Sequence, residues 1–154
     1  MKIPTSLTYS PSGGSSTTVN QALPTTAENY FMFFGFSDSN GQSGLPIDGM
    51  GFYLDVNSTR WFARTHSNNA TTPTNNASTN VIVTVGTWYD LRFVVNAAGT
   101  SCSFWVNGTM TNTFTTGLPP NTRRFGALAH VVKSAGTAAR GFQMDYISVK
   151  WKLN

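Results

Sequence analysis

Between Trp88 and Phe114 the chain alternates apolar and polar residues with a period of two, broken by turn residues. Tyr89, Leu91, Phe93 and Val95 share one parity, and Asp90 and Arg92 the other. After the turn at Asn96-Ala97-Ala98-Gly99, Cys102, Phe104 and Val106 alternate with Ser103 and Trp105. Asn107-Gly108 follows, and Thr109–Phe114 returns. Successive strand residues point to opposite faces, so this pattern demands strands with one buried face. Asn-Gly readily adopts the positive φ values of a tight hairpin, so the pairing is antiparallel.

The rest of the chain extends the pattern. Tyr30–Phe36 is a continuous apolar run that predicts a strand buried on both faces. Met50, Phe52, Leu54 and Val56 alternate with Tyr53 and Asp55, and Arg60–Thr65 forms a partner strand after Asn57-Ser58. His66–Asn80 reads as a long polar loop and Val81–Val85 as a short strand. Phe125–Val132 and Phe142–Trp151 complete the set, split by the small residues Ser134–Ala139. Residues 1–27 are rich in Ser, Thr, Pro and Gly, and form a loop-rich N-terminal segment with a short strand near Ser6–Tyr9. Residues 28–154 form the main domain. About nine strands and no convincing helix predict an all-β fold, a sandwich of two antiparallel sheets. Cys102, the single cysteine, rules out an internal disulfide and reads as a small buried hydrophobe.

Specific short motifs resemble the concanavalin A-like lectin/glucanase and laminin-G superfamily. They are Gly86-Thr87-Trp88-Tyr89-Asp90-Leu91, then Phe104-Trp105-Val106-Asn107-Gly108, and the closing Met144-Asp145-Tyr146-Ile147-Ser148-Val149. Phe34-Gly35-Phe36-Ser37-Asp38 fits as well. The resemblance spans roughly residues 30–151 and implies a jelly roll; it bears on fold more than on activity. The Thr/Ser/Asn/Gly-rich style also resembles lectin-like domains of bacteriophage tail fibres and other virion proteins.

Charge limits the chemistry. Only 10% of residues are charged, with six acids against ten Lys and Arg. Glycoside hydrolysis needs two facing carboxylates. Glucanases of the resembled superfamily cluster theirs as E-x-D-x-x-E or similar on one strand. Here Glu28 is the one glutamate, and Asp55, Asp90 and Asp145 lie one per strand. Asp55 and Asp90 could meet on an exposed face, but they read better as cross-strand partners for Arg60 or Arg92. A nucleophile needs a positioned base. The two histidines are His66, expected in solvent, and His130, expected in the sheet; neither has metal-ligand spacing. Four N-x-S/T sequons are about what composition alone produces. These features predict no enzyme.

Calcium is a further test, since many lectins of the resembled fold bind it. Asp38-Ser39-Asn40-Gly41-Gln42 fails the EF-hand pattern, with Ser43 at position six and Gly49 at position twelve. Asp38, Asn40 and Asp48 could still gather in a loop, but read better as turn residues; no cofactor is expected. The net charge of +4 is scattered, so neither a nucleic-acid stripe nor a membrane-inserting segment is expected.

Sugar binding requires an aromatic platform beside planar hydrogen-bonding groups. Trp61 between Arg60 and Arg64, with Tyr53, Trp105 and the rim residue His66, supplies the candidates. The expected function is a non-catalytic lectin-like virion domain that binds cell-surface glycan, repeated in a homotrimer or array. Met1–Gly14 lacks an apolar signal-peptide core, so a virion, or the extracellular part of a larger protein, is the expected location. The close at Lys152-Leu153-Asn154, directly after a strand-like run, suggests excision from a longer chain. Three other readings remain open: a structural virion decoration or assembly domain, a carbohydrate-binding module cut from a glycoside hydrolase, and a degenerate glycosidase.

Overall fold

The computed structural model describes residues 6–10, 23–38, 48–55, 58–67, 72–142, 144 and 146–150, with the backbone alone for 6–10 and 146. Ten strands are present among them: β1 Ser6–Ser10, β2 Tyr30–Ser37, β3 Gly49–Leu54, β4 Arg60–His66, β5 Asn75–Ile82, β6 Leu91–Val95, β7 Cys102–Val106, β8 Thr109–Phe114, β9 Gly126–Lys133 and β10 Tyr146–Lys150. They form two five-stranded sheets, ordered β10-β1-β6-β7-β8 and β5-β4-β3-β2-β9, and every pairing is antiparallel. The two-sheet sandwich expected from the alternation is present.

The core lies between the sheets. Phe36 of β2 meets Phe93 of β6 edge to face at 4.9 Å, and Phe52 of β3 meets Phe104 of β7 at 5.4 Å. All four rings are 0% exposed. Each such burial contributes about 1.5–3 kcal/mol. Cys102 is fully buried here, and burial pushes its thiol well above the usual range.

The Asn107-Gly108 hairpin has φ of 51° and 77°, the two positive values its turn requires. Asn107 also faces back to the start of β6. Its Oδ1 accepts the Asp90 amide at 2.9 Å, and its own amide donates to the Asp90 carbonyl at 2.8 Å.

Along one side the two sheets are joined by side chains. Asn112 of β8 donates to the Ser78 carbonyl of β5 at 3.3 Å. Asn75 Nδ2 reaches Thr65 Oγ1 at 2.7 Å and the Thr116 carbonyl at 2.8 Å, while Thr65 donates to the Gly117 carbonyl at 2.7 Å.

Three expectations are corrected. The stretch 66–80 is not one loop: His66 ends β4, and β5 already begins at Asn75. Asn75–Asn80 is polar because β5 is an edge strand; Asn75, Ala77, Thr79 and Val81 share the inward parity, and of these only Ala77 and Val81 are apolar. The strand expected from Trp88 begins at Leu91, because Tyr89 instead ties the preceding loop. Its hydroxyl donates to the Ile82 carbonyl at 3.0 Å and accepts the Thr84 amide at 2.7 Å. Finally, Asp55 and Asp90 flank different sheets and do not meet; Asp55 pairs with Arg64 at 3.4 Å, not with Arg60.

Candidate functional site

The outward face of the β5-β4-β3-β2-β9 sheet carries the site. Register places His130, Phe33, Tyr53, Phe62 and Ser78 in one row across five strands. The adjacent row is Leu128, Gly35, Gly51, Arg64 and Asn76. Gly35 and Gly51 sit opposite one another so closely that a Cβ on Gly51 would stand 2.3 Å from the Phe34 carbonyl oxygen. The Phe33 ring lies over this hollow, its Cζ 2.8 Å from where a Gly35 Cβ would be. An aromatic ring folded over a facing glycine covers backbone that would otherwise be bare.

From that hollow an aromatic row runs sideways. Phe31 lies 5.2 Å from Tyr53 and 5.6 Å from His130, and Phe33 lies 5.7 Å from His130. Burial among these rings lowers the His130 pKa, which favours neutral imidazole. The Arg64 guanidinium then caps the Tyr53 ring at 3.5 Å. Its Nε donates to Asn76 Oδ1 at 2.9 Å, and its Nη2 to Asp55 Oδ2 at 3.4 Å. Burial pushes the Tyr53 phenol up to about 12 even with the cation beside it, so the hydroxyl stays protonated.

Beyond this clamp, Asp55, Ser58, Thr59, Arg60, Phe62, Arg64 and Asn76 line an open cleft of about 330 Å³. Arg60 is held at its mouth from two sides. Its amide donates to Ser58 Oγ, and its Nη1 donates to the Asn80 carbonyl at 2.9 Å. Asn80 has a left-handed φ of 61° in the bulge of β5 that lies opposite Arg60–Phe62, and so turns its carbonyl toward Arg60. Phe62 is half-buried and offers the apolar wall. The cleft therefore combines an aromatic ring, two guanidinium groups, a primary amide and one carboxylate. Planar polar groups of this kind orient hydroxyls, and the ring takes C–H groups.

The residues expected from sequence divide sharply. Tyr53, Arg60 and Arg64 converge on this face, but Tyr53 is 3% exposed and lies beneath Arg64. Trp61 is not a platform. It is 5% exposed in the core, edge-on to Phe34 at 5.7 Å and Tyr89 at 5.9 Å. Arg60, Phe62 and Arg64 share the outward parity, so Trp61 between them must point inward. His66 shares that parity but is 1% exposed, paired with Gly49 within the sheet, and not a solvated loop residue. Trp105 is half-exposed on the other sheet, with Arg92 5.0 Å over its ring, away from the cleft. Phe62, Asn76 and Asp55 also line the cleft and are not among the residues expected from sequence; the register of β5 on β4 brings Asn76 beside Arg64. Asp38 and Asp48 are held together: Asp38 Oδ1 accepts the Asp48 amide at 2.9 Å, and Asp48 pairs with Arg123 at 2.9 Å. An arginine that close opposes a cation. Asn40 lies outside the described residues, and no group of three metal-ligating side chains occurs among the described ones.

A family model described as SO2946-like, C-terminal domain, matches residues 5–145. The chain belongs to this family. No curated protein matches the sequence. The SO2946-like domain superposes on the β-glucanase of Bacillus licheniformis with a TM-score of 0.60 at 13% identity. The match covers 97% of the SO2946-like domain and 67% of the glucanase. At that identity the likeness is one of fold, and the SO2946-like domain has the glucanase's jelly-roll architecture.

Proposed function

We propose that this domain is a non-catalytic lectin-like module of a virion surface protein, and that the Arg60–Phe62–Asn76 cleft binds host cell-surface glycan. The observation that carries this reading is the cleft's lining: a half-buried ring beside guanidinium and amide groups already fixed by one another. Groups held before the ligand arrives lose little freedom on binding. Among the described residues a single carboxylate, Asp55, lines the cleft, and it is engaged by Arg64. That favours recognition over a two-carboxylate hydrolysis. One cleft binds weakly, and repetition in a trimer or array multiplies the avidity.

A glycan array probed with the multimerised domain tests the reading, followed by calorimetry on each hit. Phe62→Ala is expected to weaken binding about tenfold or more, with the melting temperature monitored in parallel. Retained affinity in a folded Phe62→Ala variant would place the sugar elsewhere, and silence across bacterial polysaccharides would end the proposal.

A second reading rests on the opposite sheet. There Trp105 and Arg92 lie in one row with Met110, which is 59% exposed. Such a surface suits contact with another virion subunit. Light scattering on the wild type and on Met110→Asp distinguishes the two: a defined oligomer lost in the variant favours assembly through this face.

A further inference from the structure

We infer that the cleft selects glycans bearing a carboxylate, and that Arg60 is the specificity-determining residue. This rests on the glycan-binding reading and adds the chemical class of the ligand.

The argument is one of charge balance within the cleft. Among the described residues two cations and one anion line it: Arg60, Arg64 and Asp55. Arg64 and Asp55 belong to each other, joined at 3.4 Å. The remaining face of Arg64 is committed to the Tyr53 ring and its Nε to Asn76. Arg60 differs. Among the described residues it forms no ion pair, and the one bond its guanidinium makes is to a neutral carbonyl, Asn80 O, at 2.9 Å. That bond uses Nη1 and holds the group at the cleft wall, leaving Nε and Nη2 to a ligand. A guanidinium fixed at one nitrogen and open at the others presents a donor pair that matches the two oxygens of a carboxylate.

The other acids among the described residues do not compensate this charge: Asp38 accepts the Asp48 amide. Glu28 serves Lys133 and Arg140, and Asp48 serves Arg123. Asp90 borders the opposite sheet. The cleft volume of about 330 Å³ lies at the lower end of the roughly 300–1,000 Å³ usual for small-ligand sites, enough for one or two sugar rings. A uronic or sialic acid residue would place its ring against Phe62, its hydroxyls toward Asn76 and Ser58, and its carboxylate on Arg60.

The test uses matched pairs of polysaccharides: polygalacturonate, hyaluronan and polysialate, each against its carboxyl-reduced counterpart. Calorimetry is expected to show at least one acidic form binding at least about tenfold more tightly than its reduced partner. Arg60→Gln removes that preference, and Arg60→Lys restores part of it by keeping the charge. Arg124→Gln, an exposed residue just before the far edge strand β9, controls for loss of overall charge and is expected to leave the preference intact. Equal binding of acidic and reduced forms, with Arg60→Gln unchanged, overturns the selectivity and leaves the glycan reading standing. Equal losses in Arg60→Gln and Arg124→Gln reduce the effect to bulk charge and overturn the assignment of Arg60. No binding of either form overturns both.

Discussion

Glu28, the one glutamate of the sequence, ties the segment before β2 to the loop between β9 and β10. Its Oε1 accepts the amides of Thr137 at 2.9 Å and Ala138 at 3.2 Å. Its Oε2 meets Lys133 at 3.0 Å and Arg140 at 3.6 Å. Gly136 passes so near, with φ of 94°, that a Cβ there would stand 2.4 Å from the carboxylate. The hydrogen bond from Ala138, then that from Lys133, hold the carboxyl at about 2, below its ordinary 4.5. A carboxylate held below its unfolded value stabilises the fold above pH 4.5, and that contribution fades as pH falls from 4.5 toward 2. Glu28→Gln is therefore expected to melt below the wild type at neutral pH. Thermal unfolding followed by circular dichroism should show the two curves converging near pH 2. A gap that stays constant with pH would assign the loss to the changed shape instead of the charge.

At the scale of the strand, the Asn107-Gly108 turn offers the sharpest test, because its two positive φ values admit few residues. Gly108→Val places a β-branched side chain at φ 77° and is expected to cost about 1–2 kcal/mol or more in urea denaturation. An unchanged midpoint would mean that the turn adjusts without the hairpin. This turn was legible in sequence because its conformation is local. The inward parity of β3, β6 and β7 was legible for a similar reason: a buried face writes itself as Phe52, Phe93 and Phe104 on alternate positions. Strand β5 was not. Its inner face is Asn75, Ala77, Thr79 and Val81, and its pairing with β4 contains a bulge at Asn80, so neither apolar weight nor strict alternation marks it. The site was half legible for a related reason. Arg60 and Arg64 stood out as charges in a sparsely charged sequence. The neighbouring Trp61 drew attention by its chemistry, although parity sends it inward. Phe62 is an outward phenylalanine, and only the register beside Tyr53 and Ser78 reveals what it lines.

For the molecule as a whole, the joined edge between the sheets matters beyond its small number of bonds. Asn75 contacts both Thr65 and the loop after β8, so Asn75→Ala loses the bonds to Thr65 Oγ1 and to the Thr116 carbonyl, while the Gly117 carbonyl keeps the Thr65 hydroxyl. The expected cost is about 1–3 kcal/mol with the denaturant slope unchanged, because the surface exposed on unfolding stays the same. A stability equal to wild type would show that the sheets are held by their shared core alone. The first and last strands carry a different consequence. Ser6 of β1 lies directly opposite Lys150 of β10, so the start of the first described strand and the end of the last lie at the same end of two neighbouring antiparallel strands. Tension applied through flanking polypeptide would load the β1–β10 ladder one rung at a time, as a zipper is opened, instead of shearing all rungs together. Under mechanical pull the domain should yield at low force from that edge inward, with the opposite, laced edge the last to part.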